Sequence, residues 1–159
     1  MPETTSAVDD ELYREMLLDH YRHPRHRGAV GGATATAHGH NPLCGDEVDV
    51  SLKVSGRVVE DIGFEGQGCS ISMASASIMT EEVQGKPVSE VRELISRFRG
   101  LLVEGKDPSE LGELGDLEAL TGVRKYVARV KCAMLPWVAL EDGLKAAEQV
   151  EQQVEQKVG

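Results

Sequence analysis

Three cysteines and one aspartate are the residues of this chain whose types and spacing suit thiolate or metal chemistry. Cys44 lies in the segment Asn-Pro-Leu-Cys-Gly-Asp, Cys69 in Gly-Gln-Gly-Cys-Ser and Cys132 in Arg-Val-Lys-Cys, so each stands beside glycine or a charged residue. A thiolate needs hydrogen-bond donors and positive potential nearby, whereas a buried thiol needs only apolar neighbours. The placement of these cysteines therefore favours thiolate chemistry over core packing.

Asp46, two residues after Cys44, raises the number of candidate metal ligands to four. Three thiolates and a carboxylate can form a tetrahedral site, and soft sulfur ligands select zinc or iron. From spacing alone, a turn cap explains Asp46 as well as a metal ligand does. Each cysteine taken singly can also be a small buried hydrophobe, an interpretation that suits Cys69 better than Cys44.

A site with four anionic ligands stays negative after it binds a divalent ion, so it needs positive side chains nearby. Arg129 and Lys131 flank the third cysteine and are placed to supply that charge, although residues of these types are usually solvated surface groups. The histidines are scattered around a turn, a distribution more typical of surface groups than of ligands. They are His20, His23, His26, His38 and His40.

The composition narrows the class of protein. A length of 159 residues suits one domain, and 40% hydrophobic with 28% charged residues is typical of a soluble globular protein without a membrane-spanning run. The net charge of -10 repels a phosphate backbone, which argues against nucleic-acid binding. The first residues lack a basic region followed by an apolar stretch, so a cytoplasmic location is expected. In a reducing cytosol, an odd set of three cysteines favours metal binding or reaction over disulfides.

The elements that must position these residues begin with a helix and a sheet. Asp9 and Asp10 are expected to cap a first helix, which ends at His23-Pro24 because the residue before proline avoids helical geometry. Residues 34–37 read as extended, and two alternating segments, 47–54 and 57–65, read as a hairpin around Ser55-Gly56. Antiparallel pairing would bring the two ends of this hairpin, and hence Cys44 and Cys69, together across 24 intervening residues.

The second half of the chain reads as helical. One helix runs from Ser70 to a stop at Gly85, and a second is expected to be capped by Ser89. Residues 105–128 form an elaborated loop region, followed by a long amphipathic helix. Pro136 is tolerated only in a first turn, so this helix is expected to start within residues 131–135, with Cys132 at its amino end, where the helix dipole lowers the pKa of a thiol. Trp137 is expected in the core.

These elements predict an α+β fold: a small antiparallel three-stranded sheet packed against several helices, with a long C-terminal helix. We expect residues 1–159 to form one domain, with residues 1–8 flexible and residues 105–128 inserted.

The three cysteine motifs together resemble the IscU/NifU-like family of iron-sulfur cluster assembly proteins. The family pattern is Asn/Ala-Pro-x-Cys-Gly-Asp, then Gly-x-Gly-Cys before a Ser/Ala-rich helix, then a third cysteine before a long helix. In the scaffold members a histidine precedes the third cysteine, and the segment after the second is shorter. Here Lys131 takes that position and 62 residues separate Cys69 from Cys132, so the chain is more similar to the SufU branch.

The resemblance implies a zinc site formed by Cys44, Asp46, Cys69 and Cys132. It also implies a sulfurtransferase that accepts persulfide sulfur from a SufS-type cysteine desulfurase and activates this desulfurase. A desulfurase histidine would take one zinc position, and Cys44, the expected acceptor, would attack the persulfide. Arg129 matches an arginine of the family that could contact the desulfurase, and Suf assembly proteins would receive the sulfur downstream.

Two other functions use the same residues. A scaffold would hold a [2Fe-2S] cluster on these ligands and transfer it to apoproteins, but Lys131 in place of histidine weakens that interpretation. A structural zinc site in an interaction module is disfavoured, because structural sites rarely include a readily displaced carboxylate.

Overall fold

The computed structural model describes residues 2–42 and 45–158, and it describes the side chains of residues 11–42 and 45–150. The described residues form one sheet and four α-helices: α1 (Pro2–Arg22), α2 (Ser70–Val83), α3 (Val88–Leu102) and α4 (Val127–Val158). Two 3₁₀ helices, Pro108–Glu110 and Gly115–Lys125, lie between α3 and α4. No helix within the described residues is long and apolar enough to cross a membrane.

The sheet has three antiparallel strands in the order β1 (Ala35–Asn41), β2 (Asp46–Ser55) and β3 (Val58–Gln67). Inward side chains alternate along β2, where the four apolar residues Val48, Val50, Leu52 and Val54 are buried. The predicted α+β fold with a three-stranded antiparallel sheet and a long C-terminal helix is confirmed.

One detail of the hairpin was predicted wrongly. Strict alternation along residues 57–65 predicts Val58 on the inner face with Ile62 and Phe64, but Val59 is the fully buried residue and Val58 is only partly buried. The pairing shifts by one residue between Lys53 and Val54, and this irregularity exchanges the two faces at the end of the hairpin.

Two expected helix caps do not form. Helix α1 begins at Pro2, so Asp9 and Asp10 lie inside it and do not cap it, although it ends at Arg22 before His23-Pro24 as predicted. Helix α3 begins at Val88 after Pro87, which makes no side-chain cap, so Ser89 is already helical. Proline with its fixed φ begins a helix without a side-chain cap, and this overrides the preference for serine at the cap.

Helix α4 starts earlier than predicted. It begins at Val127, which places Pro136 inside the helix rather than in its first turn. An internal proline is expected to distort a helix. Near this proline, the Ser75 hydroxyl of α2 donates to the Ala133 carbonyl at 2.6 Å and accepts from Trp137 Nε1 at 3.0 Å. Trp137 is fully buried as expected, with its ring centroid 4.9 Å from that of Phe98.

The segment 105–128 is more than a surface loop. Its second 3₁₀ helix contacts α1, α2, α3 and α4 and buries four apolar side chains in the common core: Leu117, Ala119, Leu120 and Val123. The segment thus connects the helices packed around the sheet and brings α4 back towards the strand ends that carry the candidate site.

Candidate metal centre

Asp46, Cys69 and Cys132 come together in space from β2, the start of α2 and α4. Each offers one ligand atom, and these three atoms lie within 4.8 Å of one another. The hairpin brings Asp46 close to Cys69, because Glu47 pairs with Gln67 and the two strand ends therefore lie side by side. Cys44, the fourth expected ligand, lies outside the described residues.

Asp46 is buried, with 3% of its surface exposed, and its two carboxylate oxygens have different surroundings. Oδ1 accepts a hydrogen bond from the backbone N–H of Cys69 at 3.1 Å. Oδ2 is buried and has no hydrogen-bond partner within the part of the chain that the structure describes. A buried carboxylate oxygen is normally paired, so this atom fits a ligand to a cation. The side chain thus acts as a cap through Oδ1 and leaves Oδ2 for a metal.

The two glycines before Cys69 are required by close contacts. Gly66 has φ +148°, and a Cβ there would lie 2.1 Å from the Glu47 carbonyl oxygen. A Cβ on Gly68 would lie 2.4 Å from Ser72 Oγ and 3.1 Å from Asp46 Oδ1. Backbone glycine at both positions therefore lets the Asp46 carboxylate reach the Cys69 N–H. The motif Gly-x-Gly-Cys signals this role in the sequence, although we did not predict it.

Cys69 is the N-cap residue of α2. Its Sγ accepts from the backbone N–H of Ser72 at 3.5 Å, and it lies 3.7 Å from the Ser72 hydroxyl. Sulfur at this position faces free backbone N–H groups and the positive end of the helix dipole, both of which stabilise a thiolate. The predicted position of Cys69 at a helix amino end is confirmed.

Cys132 is fully buried, and its Sγ lies 3.6 Å from the Ala128 carbonyl oxygen one turn earlier. Because α4 begins at Val127, Cys132 is one turn inside the helix and not at its amino end, which corrects our expectation. The helix dipole acts mainly within the first turn. Positive charge for this sulfur must therefore come from a side chain.

Arg129 supplies that charge. The pKa of the Arg129 guanidinium is raised mainly by the charge of the Cys69 sulfur and a hydrogen bond to it. The charge of Cys132 raises it further. Arg129 is exposed, so solvent reaches this side chain. Lys131, two residues further along, is also exposed.

The histidines contribute no ligand to this group of residues within the described chain. Four of them are exposed as expected, namely His23, His26, His38 and His40, and His38 Nδ1 lies 2.7 Å from Asp49 Oδ1. His20 is the exception: only 4% of its surface is exposed, so its assignment as a surface group was wrong. The hydrophobic pattern of α1 could have revealed this, because His20 follows Met16 and Leu17 at helical spacing.

A groove of about 420 Å³ opens beside Arg129. It lies between α1, the start of α2 and the second 3₁₀ helix, and Tyr13, Ile71 and Tyr126 contribute to its walls. Its rim carries the basic side chains Arg14, Lys125 and Arg129. In a chain of net charge -10, these three basic side chains suit contact with an acidic partner surface.

The donor set fits a soft divalent metal. It consists of two sulfur atoms and one carboxylate oxygen that lacks a partner in the described part of the chain. A cation bound there would satisfy Oδ2, and the nearby Arg129 would offset the remaining negative charge.

Residues 12–133 match the NifU-like N terminal domain family, a range that includes Asp46, Cys69 and Cys132. The chain is 44% identical over 139 residues to the zinc-dependent sulfurtransferase SufU of Bacillus subtilis, with 87% of this chain and 93% of that protein covered. It is 37% identical over 149 residues to the iron-sulfur cluster assembly scaffold protein IscU of Streptococcus pyogenes, covering 94% and 92% of the two chains.

Solved structures share the fold. The SUF-system protein FiSufU of Fervidobacterium islandicum superposes with a TM-score of 0.76 at 32% identity, over 82% of this chain and 94% of that one. The N-terminal part of a NifU-like protein from Brucella abortus gives a TM-score of 0.80 at 30% identity, over 89% and 97%.

Proposed function

Since the chain belongs to the NifU-like N terminal domain family of iron-sulfur cluster assembly proteins, we propose that it is a zinc-dependent sulfurtransferase that accepts sulfur from a SufS-type cysteine desulfurase. The observation that carries this proposal is the buried Asp46 Oδ2, which lies near two cysteine sulfur atoms and has no hydrogen-bond partner in residues 2–42 and 45–158. The similarity to SufU of Bacillus subtilis supports zinc as the metal and sulfur transfer as the activity.

Four residues would hold the zinc ion: Cys44, Asp46, Cys69 and Cys132. When bound, zinc would keep the cysteines deprotonated at neutral pH and so preserve them as nucleophiles. Asp46 would be the most readily exchanged of the four, because a carboxylate is a harder ligand than a thiolate. The hydrogen bond from the Cys69 N–H to Oδ1 would keep the carboxylate in place when Oδ2 exchanges.

Cys44 is the proposed sulfur acceptor. Its thiolate would attack the outer sulfur of a persulfide on the desulfurase, forming a new sulfur–sulfur bond. The sulfur–sulfur bond of the enzyme would break, and the desulfurase cysteine would leave as a thiolate. The reaction exchanges one thiolate for another, so it needs no external oxidant or reductant.

The basic rim of the groove is the proposed contact for the desulfurase. Arg14, Lys125 and Arg129 surround an opening next to the sulfur atoms, and positive side chains at such a rim accelerate association with an acidic surface. The accepted sulfur would then be passed to downstream Suf assembly proteins at the same groove.

Metal analysis of the purified protein, combined with turnover of a SufS-type desulfurase in its presence and absence, tests the proposal. We expect one zinc per chain and a faster release of alanine from cysteine when the protein is added. An iron cluster as purified, together with unchanged desulfurase turnover, would contradict the proposal.

A second candidate is a scaffold for a [2Fe-2S] cluster, favoured by the similarity to IscU of Streptococcus pyogenes. The same sulfur atoms can bind iron. Anaerobic reconstitution with iron and sulfide, followed by transfer to an apo-ferredoxin, distinguishes the two functions. A scaffold would transfer a cluster in stoichiometric amount, whereas a sulfurtransferase would leave the ferredoxin without one.

A further inference from the structure

A second group of metal-ligating side chains lies where α1, α2 and the segment 105–128 meet. His20, Glu81 and Asp116 each offer a ligand atom, and the three atoms lie within 4.8 Å of one another. These residues come from three separate elements, and none belongs to the group formed by Asp46, Cys69 and Cys132. The proposed sulfur transfer makes no use of them.

The imidazole of His20 is held in a defined orientation. Its surface is 4% exposed, and Nδ1 lies 2.8 Å from the hydroxyl oxygen of Ser77, which also accepts from the Arg25 backbone N–H at 2.9 Å. Nε2 faces Glu81 Oε1 at 3.7 Å, which is longer than a hydrogen bond. A histidine that binds a metal through one nitrogen is usually fixed by a hydrogen bond at the other, as Ser77 fixes His20.

The protonation state of His20 suits a ligand. Burial and the positive charge of Arg25 lower the pKa of His20, and these effects outweigh Glu81, Asp116 and Asp19, which act in the opposite direction. The imidazole is therefore neutral at pH 7, and a neutral imidazole has the free electron pair that a metal requires.

Asp116 is held in place by the backbone that carries it. Its N–H donates to Glu82 Oε1 at 3.3 Å, which fixes the start of the second 3₁₀ helix against α2. Gly115 permits this approach, because it has φ +59° and a Cβ there would lie 2.8 Å from the same carboxylate oxygen. The Asp116 side chain is thus presented beside His20 without depending on a flexible loop.

The local charge is negative. The charged groups that act on His20 are three carboxylates, Asp19, Glu81 and Asp116, and one guanidinium, Arg25. With the imidazole neutral, their charges sum to -2. Arg25 lies 3.4 Å from Glu81 but 2.6 Å from Asp19, so Asp19 can retain it if Glu81 binds a cation. A divalent cation would neutralise the group.

From this arrangement we propose that His20, Glu81 and Asp116 form a second site, for a divalent first-row metal bound through nitrogen and oxygen. One imidazole and two carboxylates suit manganese or zinc, whereas the cysteine site suits soft metals. Two ligand atoms of a tetrahedral zinc ion are about 3.3 Å apart, so Glu81 and Asp116 need only small side-chain movements. Both are exposed and can make them. The bound ion would fasten the segment 105–128 to α1 and α2.

Titration of the zinc-loaded protein with Mn²⁺, followed by electron paramagnetic resonance of the free ion, tests the site. Manganese prefers nitrogen and oxygen ligands and leaves a thiolate site intact. A parallel titration uses additional Zn²⁺ against a chromophoric chelator. We expect one further ion per chain in at least one titration, and about tenfold or greater loss of affinity in Glu81→Gln and in Asp116→Asn.

Glu113→Gln is the matched control, because it removes the same charge from an exposed position in the same segment, three residues before Asp116. It should leave the affinity within about twofold, as expected for a screened surface charge. Binding of neither ion, or equal effects of all three substitutions, would overturn the proposal. Zinc content and desulfurase stimulation of each variant report separately on the cysteine site.

Discussion

Asp46 shows how one side chain can have two uses. From the sequence, a turn cap and a metal ligand explained the residue equally well. In the structure, Oδ1 accepts from the Cys69 N–H, and the buried Oδ2 has no partner among the residues described, so the two explanations are compatible. A ligand that stays anchored through one oxygen can release a metal through the other without leaving the site.

Asp46→Ala tests this division. Three cysteines would still hold zinc, so we expect zinc content to be kept while sulfur transfer falls by about 10- to 100-fold, because the exchangeable ligand is lost. Asp46→Asn is the companion variant, because its side-chain oxygen can still accept from the Cys69 N–H while the negative charge is gone. Unchanged sulfur transfer in Asp46→Ala would reject the role given to this carboxylate.

Arg129 and Lys131 can be separated by experiment. The sequence offered both as sources of positive charge, but the sulfur atoms of Cys69 and Cys132 raise the pKa of Arg129. Arg129→Gln should weaken zinc binding by about tenfold, whereas Lys131→Gln should change it by less than about twofold. Competition with a chromophoric zinc chelator measures both. Equal effects of the two substitutions would show that only overall charge matters.

At the scale of elements, the start of α2 is the most constrained part of the site. Three features lie close together there: the strand end at Gly66, the N-cap residue Cys69 and the carboxylate of Asp46. Gly68 lies between them with a neighbour at 2.4 Å from its would-be Cβ. A side chain at this position must displace either Ser72 or the carboxylate.

Gly68→Ala should therefore weaken zinc binding by about 10- to 100-fold while leaving the fold intact, because the clash is confined to side chains around the ligands. Gly122→Ala is the control: a Cβ there meets no atom within 4 Å among the described residues. Zinc affinity from chelator competition and helicity from circular dichroism measure the two effects. If both variants bind zinc alike, the close approach at Gly68 has no functional role.

Ser75 makes buried hydrogen bonds between α2 and α4. Its hydroxyl pairs with the Ala133 carbonyl and with Trp137 Nε1 in a buried environment beside Pro136. Ser75→Ala leaves two buried polar groups without this partner and should lower the free energy of unfolding by about 2–4 kcal/mol. Ser89→Ala, at an exposed helical position, should change it by less than about 0.5 kcal/mol. Urea denaturation distinguishes these outcomes, and equal stabilities would exclude the proposed pairing.

Local patterns predicted the elements better than their ends. Alternation along residues 47–54 and helical spacing along residues 91–101 report burial directly, so the sheet and α3 follow from the sequence. The start of α4 does not, because the helix continues through Pro136 back to Val127, and the packing around that turn includes Ser75, which is distant in the chain. Burial of His20 likewise depends on packing of α1 against α2.

For the molecule as a whole, the site lies where the two halves of the chain meet. The hairpin contributes Asp46, the second half contributes Cys132, and the start of α2 contributes Cys69 between them. The motif order predicted these three residues as ligands together with Cys44, and the structure brings the three within reach of one another. Only the structure reveals that Asp46 Oδ2 has no partner among the described residues and that the sulfur atoms act on Arg129.

Mass spectrometry of the zinc-loaded protein, after incubation with a SufS-type desulfurase and L-cysteine, tests the central claim most directly. The account predicts that the chain gains the mass of one sulfur atom, located on the peptide that contains Cys44, and that Cys44→Ser abolishes the gain. A chain that gains no sulfur, or gains it equally in Cys44→Ser, would contradict the account.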